Sequence, residues 1–236
     1  MTRLFGTDGI RGVANEEPLT PDLAYRLGRQ LVATLHEQRA VDRVRLVIGR
    51  DTRRSGPLLE SALTAGVLSA GGECYAVGVM PTPAIALLTR SLDAHGGIVL
   101  SASHNPFEDN GIKLFSSEGT KFPDAWEEAI ERGLAGADTA PRARGADIGR
   151  LISYDQAEND YVDFLGESSL LSDRAVIAVD NTLMQGEPYV DGIYLSENGA
   201  AIANFNAALT YDSRFEQVLI PLRDGVTLIR RTPGRR

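Results

Sequence analysis

Apolar residues fall along this chain in two alternating patterns, short unbroken runs and longer stretches with one apolar face. Leu23, Leu27, Leu31 and Leu35, flanked by Ala24 and Val32, recur at helical spacing and predict a helix with that stripe turned to a core. Thr20 offers a capping hydroxyl ahead of it, with Pro21 at the first helical position and Asp22 in the first turn, all suited to the positive end of a helix dipole. Val44–Ile48 is a run of strand length, followed by a polar loop and a helix expected from about Pro57 to Ala70. Cys74–Val79 predicts the next strand, and Thr82 with Pro83 repeats the cap-and-proline start for a helix reaching about Leu92. Ile98–Leu100 predicts a further buried strand, Ile112–Phe115 a short return strand, and Pro123–Leu134 a helix with Asp124, Glu127 and Glu128 near its start. Strands alternating with helices in this way predict a parallel α/β sheet.

From Ala135 to Arg150 the periodicity fades and Gly, Ala, Arg, Pro and Asp dominate, which predicts a mobile connection. Beyond it, a helix around Asp155–Leu165 would place Tyr161, Phe164 and Leu165 on one side. Val176–Val179 then predicts a strand, Ala203–Leu209 a helix, and Phe215–Arg230 a β-hairpin turning at Asp224-Gly225.

Composition narrows the classes. The 236 residues are 43% hydrophobic, enough for a sizeable core. A formal charge of −8 argues against a general nucleic-acid binder, whose affinity needs clustered Lys and Arg. The one cysteine, Cys74, lies in an apolar run and reads as a core thiol of a reducing compartment. No apolar stretch approaches a membrane span and the N-terminus lacks a secretory pattern, so a cytoplasmic protein without membrane partners is expected.

Three polar segments carry candidate chemistry. Phe5-Gly6-Thr7-Asp8-Gly9-Ile10-Arg11-Gly12 combines close backbone approach with a guanidinium fork, which suits an anion but fits a glycine-rich turn equally well. Gly49-Arg50-Asp51-Thr52-Arg53-Arg54-Ser55-Gly56 sets three arginines at the end of a strand, the place for an anionic ligand or for a solvated surface. Ser101-Ala102-Ser103-His104-Asn105-Pro106, ending another strand and preceding Asn110-Gly111-Ile112-Lys113, holds a hydroxyl, an imidazole and an ammonium within a short reach. Ser103 is the candidate reacting group, and His104 fits either chemistry or a bond to the loop backbone.

These segments, in order and spacing, resemble the first domain of the α-D-phosphohexomutases, over Met1 to roughly Leu165. The resemblance implies a three-layer α/β domain with a mixed, mostly parallel sheet, a phosphoserine loop at 101–106, and hexose or hexosamine phosphate as partner. It implies that Ser103 is phosphorylated and exchanges its phosphoryl group with the sugar, that Arg11 lies near that phosphate, and that His104 and Lys113 assist proton transfer and orientation. Phosphoryl transfer is largely positioning and charge stabilisation, which these residue types supply. It further implies Mg2+, held partly by Ser103 through its phosphate. The family has four domains, and the metal, sugar and distal-phosphate loops of the later three do not occur in this sequence; little complete turnover by this chain alone is therefore expected.

The last ~65 residues resemble instead the end of the cation-dependent, S-adenosylmethionine-using O-methyltransferases, through Ser172–Gly186 with its Asp180-Asn181 pair and through the terminal hairpin. That resemblance implies a Rossmann-methyltransferase-like strand–helix–hairpin segment over 169–236, following a first domain over 1–168, with Asp180 and Asn181 as metal ligands. The glycine-rich turn that holds the methyl donor is not present, and S-adenosylmethionine is not expected to bind. The sheet neighbours of this segment are also missing, so its hairpin edge is expected to support homo-oligomer formation.

Overall fold

The computed structural model describes residues 3–7, 9–136, 138, 140–168, 176–180, 182–183, 197–221 and 224–232. The chain divides into two compact units, Met1–Phe164 and Leu165–Arg236.

In the first unit the elements run β1 (Ile10–Val13), α1 (Pro21–Arg39), β2 (Arg45–Arg50), α2 (Gly56–Ser69), β3 (Glu73–Val79), α3 (Thr82–Ser91), β4 (Gly96–Leu100), β5 (Asp109–Ser116), α4 (Asp124–Ala135), β6 (Leu151–Ser153) and α5 (Ala157–Ser168), the unit boundary falling within α5. Six strands form one sheet in the order β1-β5-β4-β2-β3-β6. The pairs among β4, β2, β3 and β6 are parallel, whereas β5 runs antiparallel to both β4 and β1.

Alternation along the strands builds a core on each face. Leu46, Ile48, Ile98, Leu100 and Ile112 meet Leu27, Leu31 and Leu35 of α1, Leu59 and Leu63 of α2, and Ile130 of α4. Val47 and Val99, pointing the other way, meet Ala84, Ile85 and Leu88 of α3 and Ala157 of α5. The result is the three-layer domain with a mixed, mostly parallel sheet that the resemblance implies, whereas the alternation of strands and helices alone predicts a parallel one. The Leu23 end of the α1 stripe is only partly buried, and Thr20 caps this helix by accepting the Leu23 amide at 3.2 Å.

Four local features add to or differ from what the pattern predicts. First, β1 and β6 carry too few apolar residues to be seen as strands: Ile10 is the one fully buried residue of β1, and β6 is three residues long. Their pairing partners make them strands. Second, Thr82 is the first residue of α3, while Pro81 occupies the cap position and no side chain caps the helix. Third, residues 138, 140, 141 and 150 of the stretch expected to be mobile are bonded to the sheet and to α1. The buried Arg29 of α1 donates to the carbonyls of Ala140 and Pro141 and pairs with Asp138, and Arg150 bonds Glu73 at 2.6 and 3.0 Å. Fourth, the apolar side expected of α5 is divided, since Tyr161 packs on the core but Phe164 and Leu165 are exposed.

The second unit contains β7 (Val176–Asp180), α6 (Glu197–Tyr211), β8 (Phe215–Ile220) and β9 (Val226–Arg231). These strands make a separate sheet, β7-β9-β8, antiparallel throughout. β8 and β9 are the predicted hairpin, with Gly225 in the left-handed region at φ 85°. Thr182 and Thr227 share a buried hydroxyl–hydroxyl hydrogen bond of 2.9 Å, and Asn206 of α6 donates to the Thr182 carbonyl at 2.8 Å. Val218 of the edge strand β8 is 63% exposed, with Leu219 and Ile220 also exposed. Among the described residues no helix is long and apolar enough to cross a membrane.

Candidate functional site

The parallel pairing of β2 with β4 aligns Arg50 with Leu100, so the loops that follow both strands leave the same edge of the sheet. The Asp51 amide joins them by donating to the Leu100 carbonyl at 3.0 Å. Because β5 is antiparallel to β4, its first residues return to that edge, and Lys113 lies opposite Val99. Adjacent β1 sets Arg11 opposite Gly111. Two close backbone approaches hold this arrangement: a Cβ on Gly111 would lie 2.7 Å from the Ser101 carbonyl, and one on Gly9 would lie 2.3 Å from that of Ile112.

At this edge the Lys113 ammonium, on a side chain buried in the sheet, donates to Ser103 Oγ at 3.1 Å. Ser103 itself is exposed and sits at φ 58°, a left-handed conformation that costs a non-glycine residue on the order of 1 kcal/mol. Its amide donates to Ser101 Oγ at 3.0 Å. Arg11 Nη1 reaches Asn105 Oδ1 at 3.5 Å, and Asn105 in turn donates to Asp109 at 2.9 Å. His104 is exposed beside Ser103. Of the four residues proposed from sequence, Ser103 and Lys113 are thus in direct contact, Arg11 reaches the same loop through Asn105, and His104 stands next to them in the chain.

Of the two readings of this strand end, an anionic ligand or a solvated surface, Arg50 and Arg53 follow neither, because both are bonded within the protein, while Arg54 is exposed. Arg50 pairs with Glu60 at 2.8 Å. Arg53 turns its guanidinium onto the serine loop, donating to the carbonyls of Ser103 and Asn105 at 2.9 Å each, of Asp109 at 3.0 Å and of Pro106, while its Nε–H donates to Asp51 at 3.0 Å. The Asp51-x-Arg53 spacing is the only sequence signal of this arrangement, and it does not reveal which loop is grasped. Asn110, fully buried, donates to Ser55 Oγ at 2.9 Å and ties the loop after β2 to β5, a role that its place in the Asn110–Lys113 motif does not reveal.

The donor set around Ser103 is cationic, and the nearby carboxylates are engaged, Asp51 by Arg53 and Asp109 by Asn105. Hard cations need several anionic oxygens, and among the described residues no group of three His, Cys, Asp or Glu could hold a metal ion. Among the described residues, the neighbours of Ser103 therefore do not by themselves complete a Mg2+ site. Asp180 ends β7 in the second unit, and Asn181 lies outside the described residues.

The family profile described as "Phosphoglucomutase/phosphomannomutase, alpha/beta/alpha domain I" matches residues 2–140, and that described as "O-methyltransferase" matches residues 148–232. The phosphoglucosamine mutase of Moorella thermoacetica is 55% identical over 163 residues, 69% of this chain and 36% of that protein. That of Desulforamulus reducens is 47% identical over 205 residues, 86% of this chain and 45% of that protein. The chain thus spans less than half the length of these relatives. A crystal structure of a phosphoglucomutase/phosphomannomutase family protein from Burkholderia thailandensis superposes with a TM-score of 0.59 at 27% identity, covering 72% of this chain and 37% of that one. With the first profile covering more than half of its length, from the Gly6–Gly12 segment through the Ser103 loop to α4, this chain belongs to the phosphoglucomutase/phosphomannomutase family by its alpha/beta/alpha domain I.

Proposed function

We propose that the first unit is a phosphoryl carrier for hexosamine phosphates, with Ser103 as the group that accepts and returns the phosphoryl. The contact between Lys113 Nζ and the Oγ of Ser103, an exposed residue, is the observation that carries this reading. Ser103 Oγ attacks a phosphorus of a hexosamine bisphosphate; the Oγ–P bond forms, the P–O bond to the sugar breaks, and the hydroxyl proton ends on the departing sugar oxygen. Lys113 supplies a donated hydrogen bond that favours the developing negative charge on Oγ, Arg11 offers a fork for phosphoryl oxygens, and His104 relays the proton. In return, the phosphoserine is the donor to glucosamine 6-phosphate, on the way to glucosamine 1-phosphate, which the names of the relatives support. No step is assigned to Mg2+, whose remaining ligands would have to come from beyond the described residues.

The chain spans 36% and 45% of these two relatives, and the proposal for it is the half-reaction at Ser103. Incubation with a hexosamine bisphosphate should place one phosphoryl group on Ser103, read by phosphopeptide mass spectrometry, and none in Ser103→Ala. An unlabelled Ser103 in the unchanged chain would defeat the reading.

The O-methyltransferase match supports a second reading, that the C-terminal unit is a remnant of such an enzyme. It has the strand ending in Asp180, the helix and the hairpin, but the sequence offers no glycine-rich methyl-donor turn. We assign this unit no catalysis. The exposed apolar edge strand β8 supports instead a role in self-association.

A further inference from the structure

Arg53 has five N–H donors on its guanidinium, and five acceptors meet them: the Asp51 carboxylate and the carbonyls of Ser103, Asn105, Pro106 and Asp109. Four of those acceptors belong to one loop, and the Arg53 side chain is only 10% exposed. The Arg53 amide also donates to Asp51 Oδ1 at 3.0 Å, so the same carboxylate holds both the backbone and, through Nε, the fork of Arg53. An arginine with every donor committed to the protein has none left for a ligand, which sets it apart from the anion-binding role that three arginines at a strand end suggest.

The loop that it grasps contains the strained residue. Ser103 holds φ 58° with its amide bonded to Ser101 Oγ and its carbonyl bonded to Arg53 Nη2. The peptide groups on both sides of the left-handed residue are therefore held, and the side chain they present is the one that meets Lys113. Strain of this kind persists only where the surroundings over-determine it. A planar fork can span four carbonyls, whereas an ammonium at the same place would satisfy fewer of them and could not set their relative orientation.

We infer that Arg53 is a positioning residue for phosphoryl transfer at Ser103, acting by holding loop 103–109 in the geometry that keeps Oγ against Lys113. This inference rests on the reading of Ser103 as the phosphoryl acceptor. Its contribution is geometric: it alters how often Oγ is aligned for attack and leaves the affinity for the sugar phosphate nearly untouched. Misplacement of a reacting group by about 1 Å costs on the order of 100-fold in rate.

The test is the single-turnover rate of Ser103 labelling in the full chain, measured against concentration of a hexosamine bisphosphate, for the unchanged protein, Arg53→Lys, Arg53→Ala and Asp51→Asn. The expected result is a fall in maximal rate of about 100-fold in both Arg53 variants, with the half-saturating concentration changed by less than about twofold and no recovery by lysine. Asp51→Asn, which weakens the orientation of the fork and keeps the loop carbonyls bonded, should lose about tenfold and retain its melting transition. Arg53→Lys at the unchanged rate would overturn the inference, as would a raised half-saturating concentration at unchanged maximal rate, the signature of a phosphate ligand. If the Arg53 variants lose their melting transition, Asp51→Asn decides, and an undiminished rate there overturns the inference. No labelling of the unchanged chain would remove the underlying reading itself, an outcome distinct from equal rates among labelled proteins.

Discussion

Ser103 and Glu73 show how a single side chain takes its properties from neighbours far away in sequence. The serine is an ordinary turn residue until Lys113 and Arg53 are placed around it. Glu73, buried at the start of β3, is held below the usual carboxylate range, first by its hydrogen bond from Arg150 and then by the charges of Arg150 and Arg43. A carboxylate lowered on folding contributes stability that is complete above its unfolded pKa and is lost as pH falls through that value and then through the folded one. Glu73→Gln should therefore lower the denaturation midpoint at pH 7 by the equivalent of about 1 kcal/mol, since Arg150 and part of Arg43 are solvated, and the gap should start to shrink as pH falls below about 4. Urea titrations at pH 7 and pH 3 check this; an equal gap at both would contradict the ion-pair account. Cys74 belongs to the same scale. Burial pushes its thiol up to about 12, which fits the core thiol read from its apolar run rather than a reactive group.

At the scale of elements, the apolar stripes specify which face of each helix is buried but say nothing of how closely two helices meet. α1 and α2 pack backbone to backbone: a Cβ on Gly66 would lie 2.0 Å from the Tyr25 carbonyl, and one on Gly28 would lie 2.3 Å from that of Leu63. Both obstacles are main chain and cannot rotate away. Gly66→Ala should thus force the helices apart at a cost of about 3 kcal/mol, despite the higher helix propensity of alanine. Gly136→Ala, where an added Cβ meets nothing within 4 Å, should be close to neutral. Thermal melts of the two variants make the comparison, and equal midpoints would show that the crossing is looser than described. The short strands β1 and β6 teach the same lesson from the other side, since their register with β5 and β3 supplies what their composition lacks.

For the whole molecule, two sheets and two family profiles divide one chain, although the profiles and the compact units do not share a boundary. The O-methyltransferase match begins at residue 148, yet β6 within it pairs in parallel with β3 of the first sheet. The first unit owns a core on both sides of its sheet, whereas the second leaves Val218, Leu219 and Ile220 exposed on an edge strand. We therefore expect residues 1–168 alone to melt cooperatively, to sediment as a monomer and to keep Ser103 labelling, while the full chain associates as its concentration rises. Sedimentation velocity and calorimetry of both proteins test this; a truncated chain without a cooperative transition would show that the first unit needs the rest.

Apolar periodicity and strand-ending polar loops are local signals, so the alternation of strands and helices and the candidacy of Ser103 are legible in the sequence, whereas the core on each face of the sheet follows there only from the resemblance. Residues that lie close along the chain, such as Thr20 and Leu23 or the two arms of the hairpin, were equally legible. The tertiary structure alone decided what each arginine does. Arg29 bonds to a stretch that composition marks as loose, Arg50 pairs with Glu60, and Arg53, readable from sequence as an anion ligand or a solvated side chain, grips the loop after a neighbouring strand. A guanidinium carries the same charge and the same five donors wherever it stands, so its function is set by which acceptors the fold brings within 3 Å of it.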